Sequence, residues 1–383
     1  MKVVDLFSGC GGLSLGLHTL GCEILSSVEW DLGAAESYKI NHPNVNLVVG
    51  DLKEIVVSKN TAAILLKNKE VDLLCGGPPC QGFSQINPYR SVEDERNSLV
   101  DYFFNSVKQL NPKAVLIENV TGILTLGDGK AFKSLLENLN KINYKTSVGI
   151  IQAGSFGLPQ NRWRVFVVGL KKSRKEFRWP SPTHRFHSTN FIGMPKWRNA
   201  VIDSSRADLF SGKLKESSTV KKAIGDLPNA VQSSPDIPTK IISTSNTGMV
   251  YDHSCYNFED ISIQRCKHIP PGGGWLNLPD HLQPNNLKKY SKRIGSFNSR
   301  WGRLEWEGTF PTIVTKPEPY WGRYIHPSAD RVISIRECAR AQGFPDTFRL
   351  SGPISSRYRQ IGNAVPPPVA KLLGLAIKEA IGL

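Results

Sequence analysis

The sequence lacks any apolar run near the roughly 20 residues that a membrane-spanning helix requires. It opens Met1-Lys2-Val3-Val4-Asp5, with an acid where a signal peptide would continue its apolar core. It has no internal repeat and no low-complexity tract. These absences exclude a membrane-spanning chain and predict an intracellular protein with no membrane partner.

The sequence also lacks a cysteine framework. Its seven cysteines make an odd number, contain no Cys-x-x-Cys pair and do not cluster with the eight histidines. Neither a disulfide scaffold nor a zinc site is indicated, so we expect no metal. A reducing compartment fits this pattern, and there a cysteine persists as a free thiol.

Apolar strand patterns alternate with helical patterns through the first 170 residues. The strand patterns lie at 2–7, 23–28, 46–49, 71–75, 114–118, 146–152 and 164–170, and clear helical patterns lie near 97–110 and 130–141. Such alternation is typical of an α/β fold with a doubly wound, mostly parallel, Rossmann-like sheet. Ligands of such sheets gather at the carboxyl ends of the strands.

A glycine turn, Ser8–Gly12, follows the first strand, but its spacing is not the Gly-x-Gly-x-x-Gly of a dinucleotide site, and no Lys-Ser/Thr pair follows as in a P-loop. A ligand without phosphate that lets the backbone come close fits better, and S-adenosylmethionine (SAM) is such a ligand. Carboxylates at the ends of strands two and three could hold its ribose hydroxyls (Glu29) and its adenine amine (Asp51). Trp30 could cover the adenine face.

Charge is distributed unevenly along the chain. Residues 1–170 have no net charge, whereas residues 171–335 carry 25 Lys and Arg against 14 Asp and Glu, a net charge of +11. Six of the eight tryptophans lie in this middle segment, namely Trp179, Trp197, Trp275, Trp301, Trp306 and Trp321. Basic residues interleaved with aromatics favour a nucleic acid partner, although a solvated basic surface is the alternative.

One thiol stands out. Cys80 follows Gly-Gly-Pro-Pro directly after the apolar strand pattern at 71–75. Two prolines fix their own φ angles and restrict the residues before them, so the backbone presents Cys80 at a defined point beyond the strand end. A thiol held in this way is a candidate nucleophile, although most cysteines are merely small buried hydrophobes.

Six segments together resemble the ordered motif series of the DNA (cytosine-5)-methyltransferases. They are Asp5–Leu13, Gly76–Ser84, Glu118–Val120, Gln160–Arg164, Arg336–Pro345 and Gln360–Pro367. The tail motifs are most similar to those of eukaryotic maintenance-type enzymes and some bacterial relatives. The resemblance implies a discontinuous catalytic domain, 1–170 with 334–383, and a target-recognition DNA-binding domain at 171–333. It places the protein in a bacterial cytoplasm or nucleoid or a eukaryotic nucleus, and we expect a monomer.

The resemblance implies SAM-dependent methylation of carbon 5 of cytosine in double-stranded DNA. Carbon 5 is a poor nucleophile, so a thiolate must first add at carbon 6, and Cys80 is the residue suited to this. Held protonated in an apolar pocket, Glu118 could bond the ring N3, while Asn119 is expected to order the loop. By resemblance, Arg162 and Arg164 lower the thiol pKa, and their alternate spacing on a strand points both to one face.

The resemblance also assigns residues to the cofactor and to DNA. The SAM-binding set is Phe7, Gly9, Gly11, Gly12, Glu29, Trp30, Asp51, Leu52, Pro79, Leu99, Asn363 and Val365. Because the target base must leave the duplex stack, the loop after Cys80 is expected to close on DNA. The DNA-contact candidates are Ser84, Gln85, Ile86, Arg90 and Arg336.

Two other functions make different demands on the sequence. A tRNA cytosine-5 methyltransferase of the same family would carry a short target region with a Cys-Phe-Thr run, and this chain has neither. A catalytically dead paralogue that binds DNA would be expected to have lost Cys80, Glu118 or the glycine turn, and all three stand.

Overall fold

The computed structural model describes residues 1–57, 60–66, 70–78, 99–171, 176–186, 195–204, 214–233, 241–244, 248–288 and 299–383. The strands are β1 Lys2–Leu6, β2 Glu23–Glu29, β3 Asn46–Val49, β4 Leu73–Gly76, β5 Ala114–Asn119, β6 Tyr144–Gln152, β7 Trp163–Lys171, β8 His184–Arg185, β9 Val201–Ile202, β10 Lys215–Glu216, β11 Val231–Ser233, β12 Ile241–Thr244, β13 Gly248–Tyr251, β14 Ser254–Tyr256, β15 Gly302–Arg303 and β16 Arg323–Ile325. The helices are α1 Gly12–His18, α2 Leu32–Asn41, α3 Leu52–Val57, α4 Thr61–Leu66, α5 Leu99–Leu110, α6 Lys130–Lys141, α7 Val220–Ile224, α8 Asp260–His268, α9 Asn285–Lys288, α10 Ile335–Ala341, α11 Ile354–Asn363 and α12 Pro367–Ala380.

Two compact units make up the chain. Unit 1 comprises Met1–Phe156, Trp163–Lys215 and Ala364–Leu383, and unit 2 comprises Gly157–Arg162 and Glu216–Asn363. The predicted functional domains, 1–170 with 334–383 and 171–333, stay a prediction, because compactness alone does not assign a function. No helix among the described residues is both long enough and apolar enough to cross a membrane.

An eight-stranded sheet forms the centre of unit 1, in the order β3-β2-β1-β4-β5-β7-β6-β9. Strand β7 runs antiparallel to β5 and β6, and the remaining neighbours in the sheet are parallel. The predicted α/β fold with a mostly parallel sheet is therefore confirmed. The carboxyl ends of five adjacent strands, β3, β2, β1, β4 and β5, share one edge of this sheet.

The sheet is buried on both faces, which explains the nearly continuous apolar runs of its strands. Val4, Leu74 and Val115 on three neighbouring strands are fully buried in the main core of unit 1. Helix α12 packs against α1 at Gly16, where a Cβ atom would overlap the carbonyl oxygen of Pro367. This contact fixes the C-terminal helix to the first helix after the glycine turn.

Unit 2 has short paired strands, β11 with β14, β12 with β13 and β15 with β16, and a separate core around the fully buried Trp275. Helix α10 begins after Ser334 with a capping box, since Ser334 Oγ accepts from Glu337 N at 3.1 Å and Glu337 Oε2 accepts from Ser334 N at 2.7 Å. Phe310 and Val332 lie outside the strands and form isolated bridges with Gln160 and Ile325.

Candidate functional site

The glycine turn lies at the carboxyl end of β1. Gly9 and Gly11 have positive φ angles of 56° and 97°, which side chains rarely adopt. A Cβ at Gly9 would meet no atom of the described residues within 4 Å, so this part of the structure leaves open space above the turn. Phe7 precedes the turn with a φ of 58°, an unusual backbone conformation for a residue with a side chain. The open turn fits a ligand that approaches the backbone closely.

Glu29 ends β2 and is bound to this turn. Its Oε2 accepts from Gly9 N at 2.7 Å, and its Oε1 accepts from Trp30 N at 3.0 Å and Asp31 N at 2.8 Å. Burial raises the pKa of Glu29, while these backbone donors oppose the shift. Within the described residues Oε2 accepts one bond, which leaves a second lone pair for a ligand hydroxyl. Glu29 therefore shapes the turn and joins it to the end of β2.

Two other predicted cofactor residues are accessible at the same edge. Trp30 is 72% exposed directly after β2, so its ring can cover a ligand. Asp51 is exposed at the start of α3, where its Oδ1 accepts from Lys53 N at 2.9 Å. The backbone bond from Gly50 N to Glu29 O, 3.0 Å long, joins the ends of β3 and β2. The structure thus brings Gly9, Glu29 and Asp51 to adjacent strand ends.

The remaining predicted cofactor residues are placed separately. Leu52 is buried in α3, and Leu99 is half-buried at the start of α5. Val365 is buried in unit 1, whereas Asn363 is exposed at the end of α11 in unit 2. Gly12 begins α1. Pro79 lies outside the described residues, as do Cys80 and the DNA-contact candidates Ser84, Gln85, Ile86 and Arg90.

Glu118 lies near the end of β5, beside the turn that leads to Cys80. Its side chain is largely buried, and its Oε1 is 3.1 Å from Arg164 Nε. A Cβ at Gly77 would be 3.1 Å from Glu118 Oε2. Burial lowers the pKa of Arg164, and the Glu118 carboxylate opposes that shift. A carboxylate and a guanidinium are therefore paired, and the carboxylate lies beside Gly77, which precedes Cys80 by three residues in the chain.

Asn119 fixes the start of that turn. Its Nδ2 donates to Pro78 O at 3.1 Å, and its Oδ1 accepts from Val120 N at 2.9 Å. Since β4 and β5 are parallel neighbours with Gly76 opposite Ile117, the amide is in position to hold the backbone just beyond β4. Asn119 thus contacts the segment that leads to Cys80, and the loop that it is predicted to order lies outside the described residues.

The prediction that Arg162 and Arg164 lie on one strand is wrong, because β7 begins at Trp163. Its side chain is 1% exposed, and its guanidinium donates to Ile313 O at 3.0 Å and Gly362 O at 3.1 Å. Both acceptors belong to loops and helix ends of unit 2. These bonds give Arg162 a structural role within unit 2.

The burial of Arg336 argues against its predicted DNA contact. The side chain is fully buried and donates to the carbonyls of Tyr251, Pro345 and Phe348. The tryptophans of the middle segment also differ from expectation. Among these six, Trp321 is exposed at 51%, whereas the others are buried or half-buried. Most of these tryptophans pack inside the protein, so fewer of them are available to stack on bases than the composition indicated.

Asp5 was not assigned a role from sequence, although an acid inside the apolar strand Lys2–Leu6 was a visible signal. It is 1% exposed, and its Oδ2 accepts from Ser14 Oγ at 2.6 Å. Burial raises the pKa of Asp5 to about 7, and the Ser14 hydrogen bond opposes the shift. This carboxyl lies directly beneath the glycine turn.

Comparison with known proteins identifies the class. Over its whole length the chain has the fold of a prophage-encoded DNA modification methyltransferase from E. coli, with a TM-score of 0.72, 26% identity and complete coverage of both chains. The S. pombe Dnmt2 methyltransferase, at 16% identity and a TM-score of 0.56 with both chains fully covered, shares the fold. The molecule is thus an α/β methyltransferase fold.

Residues 1–379 match the family model of the C-5 cytosine-specific DNA methylases, and the chain belongs to this family. It is 32% identical to DNA (cytosine-5)-methyltransferase 3 of Arabidopsis thaliana, covering 100% of this chain and 31% of the relative. It is 34% identical to DNA (cytosine-5)-methyltransferase 1A of Oryza sativa subsp. japonica, covering 100% of this chain and 28% of the relative. The chain spans about a third of the length of these relatives.

Proposed function

We propose that this chain methylates carbon 5 of cytosine in double-stranded DNA, with SAM as methyl donor and Cys80 as nucleophile. The observation that carries the proposal is the placement of three elements on adjacent parallel strands. The open glycine turn follows β1, the turn toward Cys80 follows β4, and the Glu118 and Arg164 pair lies at β5. Membership of the family supports this interpretation of the site.

The residues at the cofactor edge fit SAM. The glycine turn lets the ligand approach the backbone, Glu29 and Asp51 offer carboxylates to hydroxyl and amine groups, and the exposed Trp30 ring can cover a purine. When bound, SAM supplies an electrophilic methyl group. Because SAM has no phosphate, the cofactor edge needs no phosphate-binding loop.

The catalytic edge would act on an extruded cytosine. The Cys80 thiolate adds to carbon 6, and the electron pair of the 5,6 double bond moves to carbon 5 as the nucleophile. A protonated Glu118 neutralises the charge that develops at N3. Because Arg164 favours the carboxylate form, protonation of Glu118 is expected to accompany entry of the base. Once carbon 5 carries the methyl group, a base such as water would take the carbon-5 proton, and the electron pair of that C–H bond would re-form the 5,6 double bond as the thiolate leaves carbon 6.

DNA binding is proposed for the basic part of the chain. The net charge of +11 in residues 171–335 suits contacts with phosphates, so binding should weaken steeply as salt is raised. The base must be unstacked before Cys80 can reach it, at a cost of a few kcal/mol. The residues that read the target sequence stay unassigned.

The test is incubation with labelled SAM and duplex DNA, followed by digestion to nucleosides. The expected product is 5-methyldeoxycytidine, and Cys80→Ser should abolish it. Cys22→Ser changes a buried cysteine directly before β2. It is the matched control and should retain activity. Label in adenine or on an exocyclic amine would refute the reaction. In a parallel incubation with tRNA, label in tRNA together with none in duplex DNA would refute the substrate.

A second measurement separates catalysis from binding alone. Duplex DNA containing 5-fluorocytosine should form a covalent, SAM-dependent adduct with the wild-type chain and none with Cys80→Ser. An intact chain that binds duplex DNA without forming this adduct would favour a non-catalytic DNA-binding protein.

A further inference from the structure

Beside the glycine turn lies a connected series of buried polar side chains that the proposed reaction does not use. Asp5, Ser14 and Tyr38 are each at most 1% exposed, and His42 is 6% exposed. Ser14 Oγ donates to Asp5 Oδ2 at 2.6 Å and lies 2.8 Å from Tyr38 Oη. This series of side chains therefore connects β1, α1 and α2 inside unit 1.

The other end of this series reaches the turn itself. The rings of Tyr38 and His42 have centroids 4.5 Å apart, and His42 Nε2 lies 3.3 Å from Gly11 O. A Cβ at Gly11 would be 2.5 Å from His42 Nε2 and 2.9 Å from Tyr38 Cδ2. The backbone of Gly11 thus rests directly on these two rings.

We propose that Asp5, Ser14, Tyr38 and His42 form a positioning network that holds Ser8–Gly12 in its SAM-binding conformation. The inference rests on the proposed function, since it assigns to this turn the role of binding SAM. The turn would be held from two sides, by Glu29 at Gly9 N and by His42 at Gly11 O. None of the four residues needs to touch the ligand.

The chemistry of His42 supports a fixed hydrogen bond. Burial lowers the pKa of His42 to about 4, and the Gly11 carbonyl opposes this shift. The ring is therefore neutral near pH 7, and with the proton on Nε2 it donates to Gly11 O. Gly11 is also the N-cap residue of α1, so its carbonyl orientation sets the start of that helix.

The experiment measures the dissociation constant of SAM by isothermal titration calorimetry. His42→Ala should raise it about tenfold, the size expected for losing one buried hydrogen bond that orders the site. His42→Gln, whose amide nitrogen can occupy the position of Nε2, should restore most of the affinity. Tyr38→Phe removes a single oxygen and should raise the dissociation constant about threefold. His18→Ala, an exposed histidine on α1, is the matched control and should leave it unchanged.

Hydrogen exchange of SAM-free protein gives a readout that does not depend on the ligand. Amides of the turn should exchange faster in His42→Ala than in wild type or His42→Gln. A folded His42→Ala with wild-type SAM affinity and wild-type exchange would overturn the network. If wild type bound no SAM, the proposed function would fail, and the exchange data alone would decide whether the network positions the turn.

Discussion

Two buried acids of unit 1 and one buried acid of unit 2 are stabilised in opposite ways. In unit 1, Asp5 and Glu29 are held by neutral donors, a serine hydroxyl and backbone N–H groups, and burial raises both pKa values. In unit 2, Glu337 is held by the Arg331 guanidinium through two bonds of 2.9 and 2.8 Å. Burial raises the pKa of Glu337, but Arg331 outweighs it, and the pKa falls to about 2.

The difference follows from the architecture of each unit. A continuous sheet satisfies most backbone groups of unit 1, so a few turns need side-chain acceptors. Unit 2 has many irregular segments whose carbonyls need donors, and buried arginines supply them. Among the described residues of unit 2, five arginines are at most 5% exposed, namely Arg162, Arg303, Arg331, Arg336 and Arg357. Part of the positive charge of unit 2 therefore stabilises its interior and is not available to a polyanion.

The largest expected effect tests this role of arginine. Arg303 donates to the carbonyls of Cys266, Ile269, His326 and Ala329 and pairs with Asp330 at 2.6 Å. Arg303→Met should lower the free energy of unfolding by an amount near the upper end of roughly 3–5 kcal/mol, because several buried acceptors lose their donor. Urea denaturation measures the change. Arg359→Met, at an exposed position of α11, is the control, and an equal effect in both would contradict the role.

The next effect concerns Asp5. Its folded pKa of about 7 exceeds the ordinary 3.8, so the folded state binds a proton more tightly, and stability falls as pH rises from about 4 to about 7. Asp5→Asn should remove roughly 4 kcal/mol of this pH dependence. Denaturation midpoints measured across pH 4–8 give the slope. Asp101→Asn, exposed on α5, should retain the wild-type slope, and a wild-type slope in Asp5→Asn would sink the prediction.

Glu337 should show the opposite sign. Its folded pKa of about 2 lies below the ordinary 4.5, so its contribution is present above about pH 4.5 and is lost as pH falls toward 2. Glu337→Gln should cost about 3 kcal/mol at pH 7 and flatten the acid limb of the stability curve. The same denaturation series extended to low pH tests this. If the acid limb were unchanged, the Arg331 pair would not be the cause of the low pKa.

The contrast between the units also explains what sequence could predict. The main sheet, the glycine turn and the helices at 99–110 and 130–141 follow from local apolar patterns, and the capping box at Ser334 follows from residues three positions apart. The candidate residues Glu29 and Asp51 followed from the rule that strand ends meet at one edge, and Glu118 followed from the family resemblance. Local patterns therefore sufficed for most of the main sheet of unit 1 and for its glycine turn.

Long-range partners were the part that local patterns could not supply. Arg162 bonds to carbonyls 151 and 200 positions later in the chain, and Arg336 bonds to Tyr251, 85 positions earlier. An arginine in a motif looks the same whether it contacts DNA or a buried carbonyl. The His42 contact with Gly11, 31 positions apart, was missed for the same reason.

The smallest stability effect is expected at Trp321, and it separates surface from core within unit 2. Trp321→Ala should change stability by no more than about 0.5 kcal/mol, because the ring is 51% exposed. The Arg300 guanidinium lies 4.9 Å from the Tyr320 ring and 5.6 Å from the Trp321 ring, an arrangement suited to nucleic acid contact. The affinity for duplex DNA should therefore fall about fivefold in a fluorescence anisotropy titration. Trp275→Ala, in the core of unit 2, should instead cost about 3–5 kcal/mol, and wild-type duplex affinity in Trp321→Ala would remove this ring from the proposed DNA surface.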